Sequence, residues 1–396
     1  MFFFNKHHHI KTLLILTITL GIALCAATGC GTAKQFASGA GPDSTQVFSP
    51  GGNYTSMRIP ALVLSKKGTL LAFCEGRIGT ASDWADMDLL MRRSLDGGKT
   101  WGPNVVIAAK KSGEPTSNAT PIVDKDGTIH LLYQRDYARA YYTFSKDDGQ
   151  NWAAPVDITY AFEAFKPEYD WKVLAPGPGH SIQLNNGRLL VPVWLSNSSK
   201  LKPRRSHAPS CIASIYSDDL GKTWKRGEII ADNTADFKNP SETMAIQLKD
   251  GSIMVNIRNV TEKRRRGLSY SKDGISNWSK PVFSEELFEP ICMATIIRIP
   301  EKQGGGILFI NPDSRDIGKH PRQNLTARIS NDEGQSWPIK KVISSGPSGY
   351  SDVAVADDGT VYCLYETNDG KGWNYSLVLK RFKLSWVNMK GSVHAK

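Results

Sequence analysis

Four arginines, one tyrosine and a few carboxylates carry the chemical potential of this 396-residue chain. Arg58 lies in MRIP, Arg77 in EGR, Arg258 in NIRN and Arg322 in PRQNLTAR, while Tyr350 lies in SGYSD. Glu242 stands in NPSET, Glu366 closes LYE, and Asp83, Asp86 and Asp88 crowd one segment just after Arg77. Guanidinium forks bind planar anions bidentately. A carboxyl in a partly enclosed loop can give a proton to a reacting oxygen and later take one back. A phenol, with a pKa near 10, is weakly nucleophilic unless a base stands beside it. Singly, each of these residues has an ordinary structural role, an arginine bridging strands or a tyrosine packed in a core. Only their meeting on one face implies chemistry, so the elements that position them decide the matter.

Those elements repeat. Five boxes, SLDGGKTW from Ser94, SKDDGQNW from Ser145, SDDLGKTW from Ser217, SKDGISNW from Ser271 and SNDEGQSW from Ser330, each end an alternating apolar run. Such a box reads as a tight turn, with Ser and Asp capping backbone N–H groups, Gly supplying positive φ, and Trp fastening the turn to the sheet. Upstream of each box lies a hairpin with a Gly-bearing turn, as in ALVLSKKGTLLAFCEGR and SIQLNNGRLLVPVWL. A sixth unit, DVAVADDGTVYCLYE followed by YSLVLKRFKL, has strands without a box. The pattern predicts an all-β chain, a six-bladed β-propeller of four-stranded antiparallel blades, since a lone blade cannot cover its faces and edges. Following the chain up and down each blade puts the boxes on one rim. First-strand starts, second-strand ends and the loops after them converge on the other, and that is where the arginines, Tyr350 and the carboxylates fall.

Three segments are expected. Residues 1–29, with Lys6, Lys11 and an apolar core from Leu13 to Leu24, read as an export signal of lipoprotein type, too short in its apolar core for a membrane span. Residues 30–52 read as a flexible tether starting at Cys30, the expected lipidation site, and 53–396 as the propeller. The protein is thus expected to be exported and anchored to a membrane, facing the periplasm or cell surface, or else secreted. Cys74, Cys211, Cys292 and Cys363 sit in apolar runs and are expected to be buried free thiols with no zinc spacing. The net charge of +11 suits anionic partners. Lys263-Arg264-Arg265-Arg266 reads as a solvated turn, and without a base-stacking module nothing points to nucleic acid. DKDG at Asp124 imitates a calcium loop but lacks its closing Glu, so a hairpin turn is expected and no metal.

In order along the chain, RIP, a D-rich loop, GPGHSIQL, NIRN, RQNLTAR, GYSD and LYE, together with the boxes, resemble the bacterial exo-α-sialidase (neuraminidase) family across nearly all of the mature chain. Two departures stand out. Met57 precedes Arg58 where an aromatic is frequent, and the sixth unit has no box.

The resemblance implies removal of terminal α-linked sialic acids from glycoproteins, glycolipids and oligosaccharides, with retention and without cofactor or metal. It implies Tyr350 as nucleophile, Glu242 as the base that draws its proton, and Arg58, Arg258 and Arg322 as a clamp for the sugar's carboxylate. A neutral phenol avoids the repulsion that carboxylate would exert on an anionic nucleophile. Glu366 would hold Arg58, and Arg77 would add a fourth positive group around the substrate. Strand alternation makes Asp88 structural; between Asp83 and Asp86 the family pattern favours Asp83 as general acid/base. Trp171 and the loop from Ser198 to Pro209 are expected to line the aglycone side. Two rival readings remain, an intramolecular trans-sialidase releasing an anhydro sugar and a catalytically silent sialic-acid-binding propeller.

Overall fold

Alternating apolar runs separated by Gly-bearing turns become six antiparallel sheets in the computed structural model, which describes residues 41–198, 205–319, 321–368 and 374–389. The export signal and Cys30 lie outside the described residues. The first blade uses Tyr54–Leu64, Leu70–Ile78, Met87–Ser94 and Val105–Ala108. The second uses Thr116–Val123, Ile129–Arg135, Arg139–Ser145 and Val156–Asp157. In the third, Val173–Pro176 and Ile182–Gln183 are two pieces of one interrupted first strand, both paired with Leu189–Ser196, followed by Ser210–Ser217 and Lys225–Ala231.

The fourth blade comprises Thr243–Gln247, Ile253–Ile257, Arg265–Ser271 and Val282–Phe288, and the fifth Thr295–Arg298, Ile307–Pro312, Gln323–Ser330 and Ile339–Pro347. Within a blade, neighbours in sequence are neighbours in the sheet, and the first strands of successive blades pack against one another around a common axis. This is the expected six-bladed β-propeller.

The sixth blade takes residues 43–48 out of the expected tether, whose residues 30–40 lie outside the described residues. Ser351–Val355, Thr360–Thr367 and Ser376–Lys383 supply three strands, and the fourth is Asp43–Phe48 from the other end of the chain. Asp43 pairs with Arg381 and Gln46 with Val378, and Val47 and Phe48 are buried. Without this strand the outer edge of Ser376–Lys383 would present unpaired N–H and C=O groups.

Each box closes its turn as its composition implies. The Asp219 carboxylate accepts the Thr223 N–H at 2.8 Å and the hydroxyls of Ser217 and Thr223 at 2.8 and 2.6 Å, while Ser217 Oγ accepts the Gly221 N–H at 2.8 Å. Gly221 is required twice over, by its φ of 86° and because a Cβ there would lie 2.2 Å from the Tyr142 hydroxyl. The box follows the third strand of its blade, so it lies at the end opposite the first-strand start. The DKDG segment is a turn as well, with Asp124 Oδ1 accepting the N–H groups of Asp126 and Thr128. The four cysteines of the described residues are free and buried.

The basic run differs from expectation. Lys263 pairs with Glu285 on the surface, but Arg266 is fully buried, donating to Glu289 at 2.6 Å, Asn256 Oδ1 at 2.6 Å and the Cys292 carbonyl at 3.0 Å. The third strand of the blade begins inside the run, at Arg265, so alternation turns Arg266 inward.

Candidate active site

Tyr350 precedes the first strand of the sixth blade, and Glu366 lies in the second strand of that same blade. Glu366 is wholly buried and accepts from Arg58 Nε at 3.0 Å, Arg58 Nη2 at 3.2 Å, the Ile59 N–H at 2.9 Å and the Tyr350 N–H at 3.1 Å. Four donors offset the cost of burying the charge. Arg58 is set by a break in the ladder, for the register between the first two strands shifts from Arg58 to Ala61 and Ile59 has a φ of 57°. A β-branched residue is strained in that conformation, and Glu366 helps hold it by taking its N–H.

The Tyr350 hydroxyl donates to Glu242 Oε1 at 2.5 Å and accepts from Arg258 Nη1 at 2.6 Å; Arg258 also pairs with the other oxygen of Glu242. Arg58, Arg258 and Arg322 bring their guanidinium carbons to 5.5, 5.8 and 5.4 Å from the centre of the Tyr350 ring. Arg322 donates besides to the Ile291 carbonyl at 2.5 Å. Burial pushes the Tyr350 phenol well above its usual value despite the pull of Arg258 and Arg322. The hydroxyl therefore keeps its proton in the free protein, and Glu242 is the acceptor already in contact with it.

Asp83 stands on the loop after the second strand of the first blade, its side chain 44% exposed, with Oδ1 2.8 Å from Arg77 and 3.6 Å from Arg58. Burial raises its carboxyl, but Arg77, Arg58 and His207 outweigh burial and hold it below the usual value. The neighbouring acids are occupied elsewhere. Asp86 accepts the Gly113 N–H at 2.8 Å, and Asp88 accepts the Tyr54 hydroxyl and the Lys110 N–H, each at 2.6 Å. A cavity of about 810 Å³ opens over this side, lined by Arg58, Asp83, Trp84, Arg205, His207 and Asn374 among others.

Of the eight residues to which the resemblance assigns a role, the structure brings seven together here, and Arg77 meets them from behind. It is 1% exposed, and Glu75 at 2.6 Å, the Ala81 carbonyl at 2.5 Å and Asp83 occupy its guanidinium, so it holds the Asp83 carboxylate and does not line the cavity. Trp171 is also misplaced by sequence reasoning. It is buried, its indole N–H donating to the Phe162 carbonyl at 2.8 Å. Trp84 and His207 line the cavity instead, their rings tilted against each other with centroids 5.2 Å apart, and Tyr137 and Trp194 pack at 4.6 and 5.2 Å from the same imidazole.

Sequence reasoning also missed a buried tie between the blades. Asp352, wholly buried two residues beyond Tyr350, accepts the Leu62 N–H at 2.9 Å, the His180 N–H at 2.8 Å and the Thr295 hydroxyl at 3.0 Å, and meets His180 Nδ1 at 2.6 Å. One carboxylate thereby ties the first strands of the first, third and fifth blades to the sixth. Both residues stood in quoted motifs, GYSD and GPGHSIQL, but nothing in either string says that they touch. Among the described residues no group of three His, Cys, Asp or Glu side chains could hold a metal ion.

Comparison with known proteins adds an independent line. The family profile described as "BNR repeat-like domain" matches residues 68–363. The sialidase of Micromonospora viridifaciens is 29% identical over 422 residues, an alignment spanning 94% of this chain and 60% of that protein. That of Bacteroides fragilis is 28% identical over 80% of this chain and 61% of its own length, so the chain spans about three fifths of these two relatives. Among solved structures, a Hadza microbial sialidase superposes with a TM-score of 0.69 at 25% identity, covering 84% of this chain and 66% of that one. The Ruminococcus gnavus intramolecular trans-sialidase shares the fold with a TM-score of 0.69 at 18% identity, over 87% of this chain and 98% of that one.

Proposed function

The chain belongs to the Asp-box (BNR repeat-like) sialidase family, and from that premise we propose that it is an exo-α-sialidase, a retaining glycoside hydrolase acting on terminal α-linked sialic acids of glycoconjugates. The observation that carries this reading is the Tyr350 hydroxyl held between Glu242 and Arg258. Arg58, Arg258 and Arg322 receive the sugar's carboxylate as a set of guanidinium forks. Asp83 protonates the leaving oxygen while Glu242 draws the proton from Tyr350, whose oxygen attacks the anomeric carbon. Arg258 stabilises negative charge as it grows on that oxygen. In the second half, Asp83 takes a proton from water, which displaces the tyrosyl oxygen, and the phenol recovers its proton from Glu242. Two displacements at one carbon retain configuration.

Release of fluorophore from an aryl α-sialoside tests the activity, and proton NMR of the first-formed product tests the stereochemistry; an initial β anomer would oppose the scheme. The intramolecular trans-sialidase reading shares every step up to the tyrosyl intermediate. It parts from hydrolysis at the product, an anhydro sugar in place of free sialic acid. A silent binding propeller would have no use for the Tyr350–Glu242 contact. Anchoring through a lipid on Cys30 is proposed from the sequence alone, and mass spectrometry of the mature N-terminal peptide would reveal or exclude the acyl chains.

A further inference from the structure

Asp83 stands among cations of two kinds. Arg77 is sealed from the cavity and bound by Glu75, whereas Arg58 lines the cavity beside Asp83 and is held from behind by Glu366. The other polar groups around the carboxyl come from separate elements. His207 follows from the loop before the third strand of the third blade, Tyr137 from the turn after the second strand of the second blade, and Arg205 from the cavity wall, where it pairs with Asp136 at 2.7 Å. Asp86, on the same loop, turns away to Gly113. Against burial, the cations keep the Asp83 carboxyl ionised in the free protein. An ionised carboxyl has no proton to give a leaving oxygen.

Resting on the sialidase reading above, we propose that the substrate arms its own general acid: a carboxylate binding to Arg58 places a like charge beside Asp83, and Asp83 takes up a proton as the complex forms. Arg58 then serves both as part of the anion clamp and as the link from clamp to acid. A second anion on one guanidinium cancels its attraction and disfavours the charged form of a neighbouring carboxyl. The proton comes from solvent, only the O–H bond of Asp83 forms at this stage, and that proton later departs on the aglycone oxygen. Arg77, unable to reach the ligand, holds the carboxyl in place throughout.

The experiment is calorimetric binding of 2,3-didehydro-sialic acid to the whole protein at about pH 6, in buffers of different ionisation enthalpy. The wild type should take up close to about one proton per ligand, and Asp83→Asn, still binding, should take up essentially none. Wild-type binding without proton uptake would overturn the proposal while leaving the sialidase reading intact. Equal uptake in Asp83→Asn would assign the proton to another group and overturn it too. Failure of the wild type to bind would overturn both.

Discussion

Arg58 and Tyr350 share one carboxylate: the guanidinium of the first and the backbone N–H of the second both end on Glu366, fixing their relative height across the junction between the first and sixth blades. Gly349 makes room for this, because a Cβ at that position would lie 2.3 Å from Glu366 Oε2. Gly349→Ala should cost about 1–3 kcal/mol of stability through overpacking. It should also weaken binding of a sialic acid analogue by misplacing Arg58. Chemical denaturation and calorimetry read the two effects, and unchanged affinity would dissociate Glu366 from the clamp.

Tyr350→Phe removes the one hydroxyl that Glu242 and Arg258 meet. Turnover should fall by roughly a hundredfold or more, with little change in melting temperature. A fluorinated sialosyl donor should label Tyr350 in the wild type, as read by peptide mass spectrometry. A label on Asp83 or Glu242 would replace the mechanism.

Arg322→Ala tests the clamp most cleanly, since Arg322 is bound to a carbonyl and not to the Tyr350–Glu242 pair. Loss of a desolvated fork on a carboxylate should cost about 2–5 kcal/mol of binding. Near wild-type affinity for a sialic acid analogue would remove Arg322 from the site.

Asp219→Ala should lower stability by about 0.5–2 kcal/mol, by analogy with other caps of backbone N–H groups, and leave kcat per folded molecule unchanged. Its box lies at the far end of the blade from Tyr350. Loss of most of kcat in the folded variant would contradict the chain direction through the blades.

The same boxes predict an acid limb. Asp96, Asp147, Asp219, Asp273 and Asp332 are each lowered from 3.8 to about 2. For Asp219, burial opposes the shift and the Thr223 and Ser217 bonds outweigh it. A depressed carboxyl contributes fully above its unfolded value and loses that contribution as pH falls through its folded one. Melting temperature should therefore drop between about pH 4 and pH 2, and a variant with all five replaced by Asn should show a flatter profile over that window.

The fold was legible because a propeller repeats its punctuation. Five boxes fix the turns, alternation fixes the strands, and the up-and-down path alone sends Arg58, Glu242, Arg258 and Tyr350 to one rim. What stayed hidden depends on contacts that no local pattern encodes. DSTQVF is too short and polar to announce a strand, and only the vacant edge of Ser376–Lys383 makes it one. Arg77 reads like the other arginines until Glu75 and Ala81 are seen to surround it. Asp352 reads as the tail of a motif, although it receives donors from three other blades.

The pairing of Asp43–Phe48 with Ser376–Lys383 also sets a clock. A chain made from its N-terminus can complete the first five blades as each emerges, because their strands are neighbours in sequence. The ring itself waits for the last strand, and until then an early segment and a late edge both stand open. Closing a loop of this length adds an entropic cost that grows only with the logarithm of its span, but it cannot begin before the final strand exists. Folding is thus local for five blades and last-in for the sixth, and a chain cut short before Ser376 lacks the partner of Asp43–Phe48 and is left with an unlatched edge.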